Sequence, residues 1–330
     1  MLFSLPQIPD IVGHEKPCGQ LLQDIAHRNV AHAYLFVGPP HLGKFTVARW
    51  FAWRLLADHL EPSAHAAVWD QIERLIHPDF LSLSALWIEG VQEDWRIIGQ
   101  SSNAPQQHRV KAPAKTDTIS IEDIRPLHER LLATGTSPYL CCLIRSIERM
   151  PQAAANAFLK ILEEPPPRVV FFLTTGNEHV LLPTVVSRTR IIRFYPLKPE
   201  EMRPLLREKD DEDAAFAIHL SQGAPGTLIS LLQNPDALRA GKQLHAQAKQ
   251  FWQMRSLHER LRWILPFAQQ RSSLAELLRH LGDTLHEHPD PVQKTKWASA
   301  YSTLVESLHT NAHRGLLLQR FTLAVSQNPC

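Results

Sequence analysis

A glycine-rich loop between an apolar run and a helical pattern is the feature that most restricts how this chain can fold. The loop reads GPPHLGK at residues 38–44, follows the apolar run AYLFV at residues 33–37 and opens a segment of helical periodicity. Glycines in such a loop let successive backbone N–H groups surround phosphate oxygens, and the lysine reaches the terminal phosphates. The pattern therefore predicts a phosphate-binding loop in which Gly38, Gly43 and Lys44 contact the ligand. A tight strand-to-helix turn that needs glycine for backbone reasons alone is the alternative.

The residues expected to hold a metal ion beside this loop are missing. Phe45 stands where a serine or threonine hydroxyl would contact Mg²⁺, and Thr46 comes one residue late, about 100° further round a helix. A phosphate-loop ATPase also carries an acidic residue at the end of a neighbouring strand. Here the apolar run 139–144 ends at Arg145, whose charge would repel Mg²⁺. Unless Thr46 or Glu148 substitutes, the sequence predicts a degenerate loop with at most weak ATP or ADP binding and no required cofactor.

Short apolar runs alternate with helical patterns over the first two hundred residues, as in an α/β domain with a mostly parallel sheet. After Pro199 the strand signals stop and helical patterns continue to the end. We therefore predict an α/β domain over residues 1–197, a small helical domain over 198–238 and a larger helical domain over 239–330. The polar stretch 87–118 shows no sustained period and is interpreted as a loop or insertion. The predicted strands cover residues 33–37, 80–83, 139–144, 169–174 and 191–194.

Composition excludes several other classes of protein. The 35 Lys and Arg residues nearly balance the 33 Asp and Glu residues, which argues against a protein that coats nucleic acid. No apolar run approaches the ~20 residues that span a bilayer, and no signal-peptide pattern opens the sequence, so we expect a cytoplasmic protein. The four cysteines show no disulfide framework or CxxC pattern, and scattered histidines make a poor tetrahedral site, so no zinc is expected.

Other motifs follow one another in a characteristic order along the chain. They are HAYLF at 32–36, HPD at 77–79, IEDIR at 121–125, AAANAFLKILEEPP at 153–166, LPT at 182–184, SRT at 187–189 and NAH at 311–313. In order and spacing they resemble the motifs of the AAA+ clamp-loader subunits of bacterial DNA polymerase III, and among these the delta-prime type. The resemblance covers most of residues 1–195, whereas the last 130 residues match only in helical character and in the NAH sequence.

The resemblance implies a phosphate-loop AAA+ domain with a parallel sheet, followed by a small helical lid and an all-α collar that joins subunits into a hetero-pentamer. In that family a Ser-Arg-Cys motif places its arginine in the ATP site of the neighbouring subunit. Arg188 occupies the matching position, with Thr189 in place of the cysteine. An arginine suits this role because its fixed charge and planar donor fork can stabilise charge on the γ-phosphate. The implied partners are gamma/tau motor subunits and a delta subunit, with the sliding clamp and primed DNA reached through the assembly.

Three departures separate the chain from the motor subunits of that family. Arg145 replaces the magnesium-binding acid, residues 223–226 read GAPG where motor subunits carry an arginine after Gly-Ser-Leu, and the family's zinc module is absent. We therefore expect a non-hydrolysing subunit that supplies Arg188 in trans. An ATP-hydrolysing motor subunit of the same loader and a small-molecule phosphate-loop kinase are the alternatives. Seven basic against four acidic residues between 145 and 193 leave contact with DNA open.

Overall fold

The structure is a computed structural model that describes residues 11–84, 118–132, 135–206, 212–269, 271–308, 310 and 312–326. The chain forms two compact units, Met1–Ser230 and Leu231–Cys330. Except for Thr118, the predicted insertion at 87–118 lies outside the described residues, as does Asn311 of the NAH sequence. The first unit extends across most of residues 198–238, and the separation of a helical lid from the α/β domain stays a prediction.

A parallel sheet forms the centre of the first unit. Its strands lie in the order β2-β3-β4-β1-β5, and each neighbouring pair is parallel. The predicted α/β class and the five predicted strands are confirmed, with bounds that differ by one residue for the last three strands. Because parallel strands run the same way, the loops after β1, β3 and β4 meet at one edge of the sheet. The strands are β1 (Ala33–Val37), β2 (Phe80–Leu83), β3 (Leu140–Ile144), β4 (Val169–Thr175) and β5 (Arg190–Arg193).

Helices connect the strands, and further helices come after β5 in the chain. The helix after the glycine-rich loop begins at Lys44, and the helix of the AAANAFLKILEEPP motif ends at Glu163, just before three prolines that cannot continue it. Short 3₁₀ helices lie at Pro62–Ala64, Ile147–Arg149, Glu178–Val180 and Arg203–Leu206. The α-helices that begin in this unit are α1 (Glu15–Ala26), α2 (Lys44–Ala57), α3 (His65–Glu73), α4 (Ile121–Leu131), α5 (Gln152–Glu163), α6 (Pro183–Val186), α7 (Pro199–Met202), α8 (Glu212–Ser221) and α9 (Pro225–Gln233).

Apolar side chains cover both faces of the sheet. Along β4, Phe171 packs into the core on one face and Phe172 into the core on the other, because successive strand residues point in opposite directions. The adjacent Cys141 and Cys142 are divided between the two cores in the same way, and both are free thiols. Burial on both faces explains why β1, β3 and most of β4 are continuous apolar runs, whereas the edge strand β5 exposes Arg190 and Arg193.

The HPD motif fixes the edge of the sheet around Asp79. This buried carboxylate accepts hydrogen bonds from Thr136 N at 3.0 Å, Thr136 Oγ1 at 2.8 Å and Ser137 N at 2.9 Å. Arg168 Nη2 lies 2.8 Å from its other oxygen. Burial would raise the pKa of Asp79, but the hydrogen bonds from Thr136 and Ser137 hold that pKa below its usual value. The motif therefore ties β2 to the segments before β3 and β4, which is a structural role.

The second unit is helical, and its core is rich in aromatic side chains. Trp252 stacks on Trp297 with ring centroids 5.1 Å apart, and its indole N–H donates to Thr284 Oγ1 at 3.0 Å. The predicted helical C-terminal region is confirmed. None of the described helices of the chain is long and apolar enough to cross a membrane. The helices are α10 (Pro235–Gln253), α11 (Leu257–Ile264), α12 (Arg271–His286), α13 (Pro291–Ser307) and α14 (Arg314–Ser326), with a 3₁₀ turn at Leu265–Ala268.

Candidate functional site

The glycine-rich loop lies at the carboxyl end of β1 and leads directly into α2, as the sequence predicts. Gly38 has a backbone φ of 153° and Gly43 one of 86°. Residues that carry a side chain rarely adopt either value. A Cβ on Gly38 would lie 2.5 Å from the carbonyl oxygen of Phe194, whereas a Cβ on Gly43 would meet nothing within 4 Å. The first glycine is therefore needed for close contact with the chain after β5, and the second for backbone conformation alone.

Two neighbouring segments hold the loop in place. The buried His14 side chain donates from Nε2 to the carbonyl of Leu42 at 2.7 Å, and burial lowers the pKa of His14. From α9, Gly226 N donates to the carbonyl of His41 at 2.9 Å. A Cβ on Gly226 would lie 2.9 Å from that oxygen, closer than real Cβ contacts. The position at which the resembling motor subunits carry an arginine is therefore a close backbone contact with the loop in this chain.

Lys44, the first residue of α2, turns back onto the loop. Its Nζ donates to the carbonyls of Gly38 and Pro39, the second at 2.6 Å. Burial lowers the pKa of Lys44 to about 8, and the nearby Glu148 carboxylate partly offsets this effect. The side chain is therefore still mainly protonated at neutral pH and keeps the positive charge that a phosphate would need.

The Phe45 ring contacts two arginines at the place where a metal site would be. The guanidinium carbon of Arg145 lies 4.5 Å from the centre of the Phe45 ring, and that of Arg49 lies 4.8 Å from it. Burial lowers the pKa of Arg145, and the charge of Arg49 lowers it further. Mg²⁺ takes oxygen ligands, and this aromatic ring with two cations offers none. The predicted loss of the metal-binding acid at the end of β3 therefore corresponds to a cationic cluster.

Glu148 and Thr46 are the two residues that could restore metal binding, and neither lies in the cluster around Phe45. Glu148 accepts a hydrogen bond from Gly176 N at 3.4 Å, and its charge acts on Lys44. Thr46 is half-buried within the first turn of α2. The threonine hydroxyls at the end of β4 are also engaged, since Thr174 Oγ1 accepts from Ser146 N at 3.0 Å and Thr175 Oγ1 donates to Asn177 O at 3.1 Å.

Arg188 lies at the opposite end of the sheet from the loop. It follows α6 and precedes β5, and Arg190 of β5 is in register with Tyr34 of β1. Measured along the strands, Arg188 therefore lies about five residues, or roughly 17 Å, from Val37, the residue before the loop. Its guanidinium donates to Glu163 Oε1 at 2.8 Å and to Thr184 O at 3.1 Å, and the side chain is 36% exposed. Arg188 and the chain's own loop do not form one site.

Comparisons with known proteins decide the family. The profile of the family described as "DNA polymerase III, delta subunit" matches residues 13–198, which is more than half of the chain. The chain belongs to this family of DNA polymerase III clamp-loader subunits. Its match confirms the clamp-loader resemblance carried by the sequence motifs.

Relatives of two subunit types are similar to this clamp-loader chain. The DNA polymerase III subunit gamma/tau of Mycobacterium bovis is 29% identical over 241 residues, which cover 70% of this chain and 37% of the relative. The subunit delta' of Escherichia coli is 30% identical over 141 residues, or 41% of each chain. A solved gamma subunit-related protein of Thermotoga maritima is 20% identical, with a TM-score of 0.48 and coverage of 93% of this chain and 98% of that chain. The chain thus spans little more than a third of the gamma/tau relative.

Ion pairs within this clamp-loader chain neutralise much of the basic excess counted between residues 145 and 193. Four of the seven basic side chains each lie within 3 Å of a carboxylate oxygen, which balances much of their charge. Contact with DNA stays a prediction that these residues do little to support. The four pairs are Arg168 with Asp79, Arg188 with Glu163, Arg190 with Asp24 and Arg193 with Glu178.

The sequence analysis singles out Arg145 and Phe45 but not Arg49, nor the contact that joins the three side chains. Phe45 and Arg49 are four residues apart on α2, and this spacing places them on one face of a helix. That signal was available in the sequence. The contact of Gly226 with His41 and the pair of Arg188 with Glu163 have no local signal, because they join segments that meet only in the folded chain.

Proposed function

We propose that the chain is a non-hydrolysing subunit of a DNA polymerase III clamp loader that supplies Arg188 in trans to the ATP site of a neighbouring motor subunit. The observation that carries the proposal is the position of Arg145, a cation over the Phe45 ring where an ATPase would hold its magnesium. The subunit would act in the cytoplasm with gamma/tau and delta subunits in a hetero-pentamer. Its helical second unit would serve as the collar, and the assembly would load the sliding clamp onto primed DNA.

The geometry supports the absence of hydrolysis in this subunit. Hydrolysis needs a metal ion to neutralise the phosphates and a group to orient the attacking water. Arg145 takes the place of the metal ligand, and the next residue, Ser146, donates its backbone N–H to Thr174. The subunit therefore requires no cofactor for the role proposed here.

The position of Arg188 supports action in trans. An arginine at the amino end of β5 lies too far along the sheet to reach the loop at the carboxyl end of β1 in the same chain. It is partly exposed, and its donor fork is held by Glu163 and Thr184. A fork held in one orientation needs less ordering when it meets a phosphate on a neighbouring subunit.

Replacement of Arg188 in the assembled ring tests the proposal. A trans arginine contributes roughly 10³-fold or more at the site that it serves, so R188A should remove the contribution of one ATP site to the DNA-stimulated ATPase. Assembly, followed by size-exclusion chromatography, should be unchanged. R74A is the matched control, because Arg74 is an exposed arginine of the same unit whose Nε lies 3.0 Å from Asp70 Oδ1, four residues earlier in the chain. An unchanged ATPase with R188A would refute the assignment.

An ATP-hydrolysing motor subunit is the second candidate function. The similarity to gamma/tau relatives and the retained Lys44 favour it. Steady-state ATPase measurements on the isolated chain separate the two functions. A rate of about 1 s⁻¹ or above that depends on Mg²⁺ would replace the non-hydrolysing proposal with the motor function.

A further inference from the structure

Two arginines beside the phosphate loop lack an anionic partner among the described residues. The guanidinium groups of Arg49 and Arg145 make no hydrogen bond or ion pair within that part of the chain, and Arg49 Nε is buried. Glu73 is the acidic residue whose charge acts on Arg49, and the two arginines repel each other. Other arginines of this unit, such as Arg168 and Arg190, do form ion pairs with buried carboxylates.

The contact with Phe45 leaves these arginines able to bind an anion. A guanidinium that lies over an aromatic ring uses its flat face, while its N–H donors point outward from the edge. The ring balances the positive charge only partly, because the face of an aromatic ring carries no net charge. Two half-buried guanidinium groups at 4.5 and 4.8 Å from one ring centre thus hold unused donors and a combined charge of about +2.

The cluster is located where a nucleotide's phosphates would need positive charge. Phe45 directly follows Lys44 in the first turn of α2, and Arg49 lies one turn later on the same face. Arg145 directly follows β3, whose carboxyl end lies at the same edge of the sheet as the loop. In phosphate-loop ATPases the corresponding residues hold a divalent cation against the phosphates. The pair of arginines carries the same formal charge as that cation.

We propose that the phosphate loop binds a nucleoside polyphosphate as the free anion, with Arg49 and Arg145 in place of Mg²⁺. Lys44 and the loop N–H groups would contact the phosphates together with the guanidinium donors. No hydrolysis follows, because the cluster provides no base. This inference goes beyond the function proposed above and does not depend on Arg188, so either proposal can fail without the other.

Calorimetric titration of the full chain with ATP, in EDTA and in excess Mg²⁺, tests the inference. We expect saturable binding in EDTA and binding weaker by about tenfold or more in Mg²⁺, because the ion must be removed before the arginines can contact the phosphates. ADP should behave in the same way. Absence of saturable binding in EDTA, or tighter binding in Mg²⁺, would overturn the proposal.

Substitutions of Phe45, Arg49 and Arg145 test which of these side chains contribute to ATP binding. R145Q keeps much of the side-chain volume but loses the charge, and it should weaken ATP binding in EDTA by about 10- to 100-fold, as expected for a charge-assisted hydrogen bond. R49Q should act in the same direction, whereas R74A should leave the affinity unchanged. The double variant F45T/R145D should reverse the preference, with tighter binding in Mg²⁺ than in EDTA. Unchanged affinity of folded R145Q in EDTA would show that the arginine has no part in binding.

Discussion

Arg188 and Glu163 form an ion pair across the amino end of the sheet, with Nη2 and Oε1 2.8 Å apart. Glu163 is the last residue of α5 and Arg188 precedes β5, so the pair joins two segments that are 25 positions apart in the sequence. Both side chains are more than a third exposed, so solvent screens the attraction. The pair is therefore better suited to orienting the arginine than to stabilising the fold.

This exposure leads to a prediction for E163Q. We expect the free energy of unfolding, measured with urea, to change by less than about 1 kcal/mol, as for other exposed ion pairs. The DNA-stimulated ATPase of the assembled ring should fall, because one of the two acceptors that hold the donor fork of Arg188 loses its negative charge. A large loss of stability with a normal ATPase would instead indicate a purely structural pair.

Asp79 is expected to contribute far more to stability than Glu163. D79A would remove a buried acceptor and leave Arg168 and the backbone donors of Thr136 and Ser137 without it. The expected cost is about 3 kcal/mol of unfolding free energy, measured by urea denaturation. D70A is the matched control, since Asp70 pairs with Arg74 on the protein surface and should cost roughly 0.5 kcal/mol or less. Equal effects of the two variants would contradict the structural role of the HPD motif.

Lys44 should make stability depend on pH in the alkaline range. Its pKa is about 8 in the folded chain and 10.5 when unperturbed, so the unfolded chain binds more protons between these values. The unfolding free energy attributable to Lys44 therefore rises with pH across that window, because a penalty for the buried charge is relieved. Other groups titrate there as well, so the measurement is the difference in unfolding free energy between wild type and K44M. A difference that does not vary with pH would show that the lysine is not buried in this way.

Gly226 should tolerate no side chain without movement of the phosphate loop. In G226A the new Cβ would lie 2.9 Å from the carbonyl oxygen of His41, a contact that requires the loop or α9 to shift. We expect a loss of about 1–3 kcal/mol and faster amide hydrogen exchange at residue 226, whose N–H donates to that carbonyl. G19A, where a Cβ meets nothing within 4 Å, is the control and should have little effect. Equal exchange in wild type and G226A would refute the close contact.

Local patterns in the sequence were sufficient for much of the fold. The central strands are predictable because both of their faces are buried, which makes β1, β3 and most of β4 continuous apolar runs. The phosphate loop was predicted because the residues 38–44 that form it are consecutive. Arg145 was also recognisable, since it directly follows the end of a predicted strand. In each case the physical signal lies within a few neighbouring residues.

Only the tertiary structure decided how these residues are used. The stacking of Arg145 on Phe45, the contact of Gly226 with His41 and the pair of Arg188 with Glu163 join segments that are distant in the sequence. The sequence shows an excess of basic residues between positions 145 and 193, whereas folding brings carboxylates from other segments to four of those seven basic side chains. Residue types and their local spacing are properties of the chain, but whether a charge is paired or left available depends on which segments the fold brings within a few ångströms.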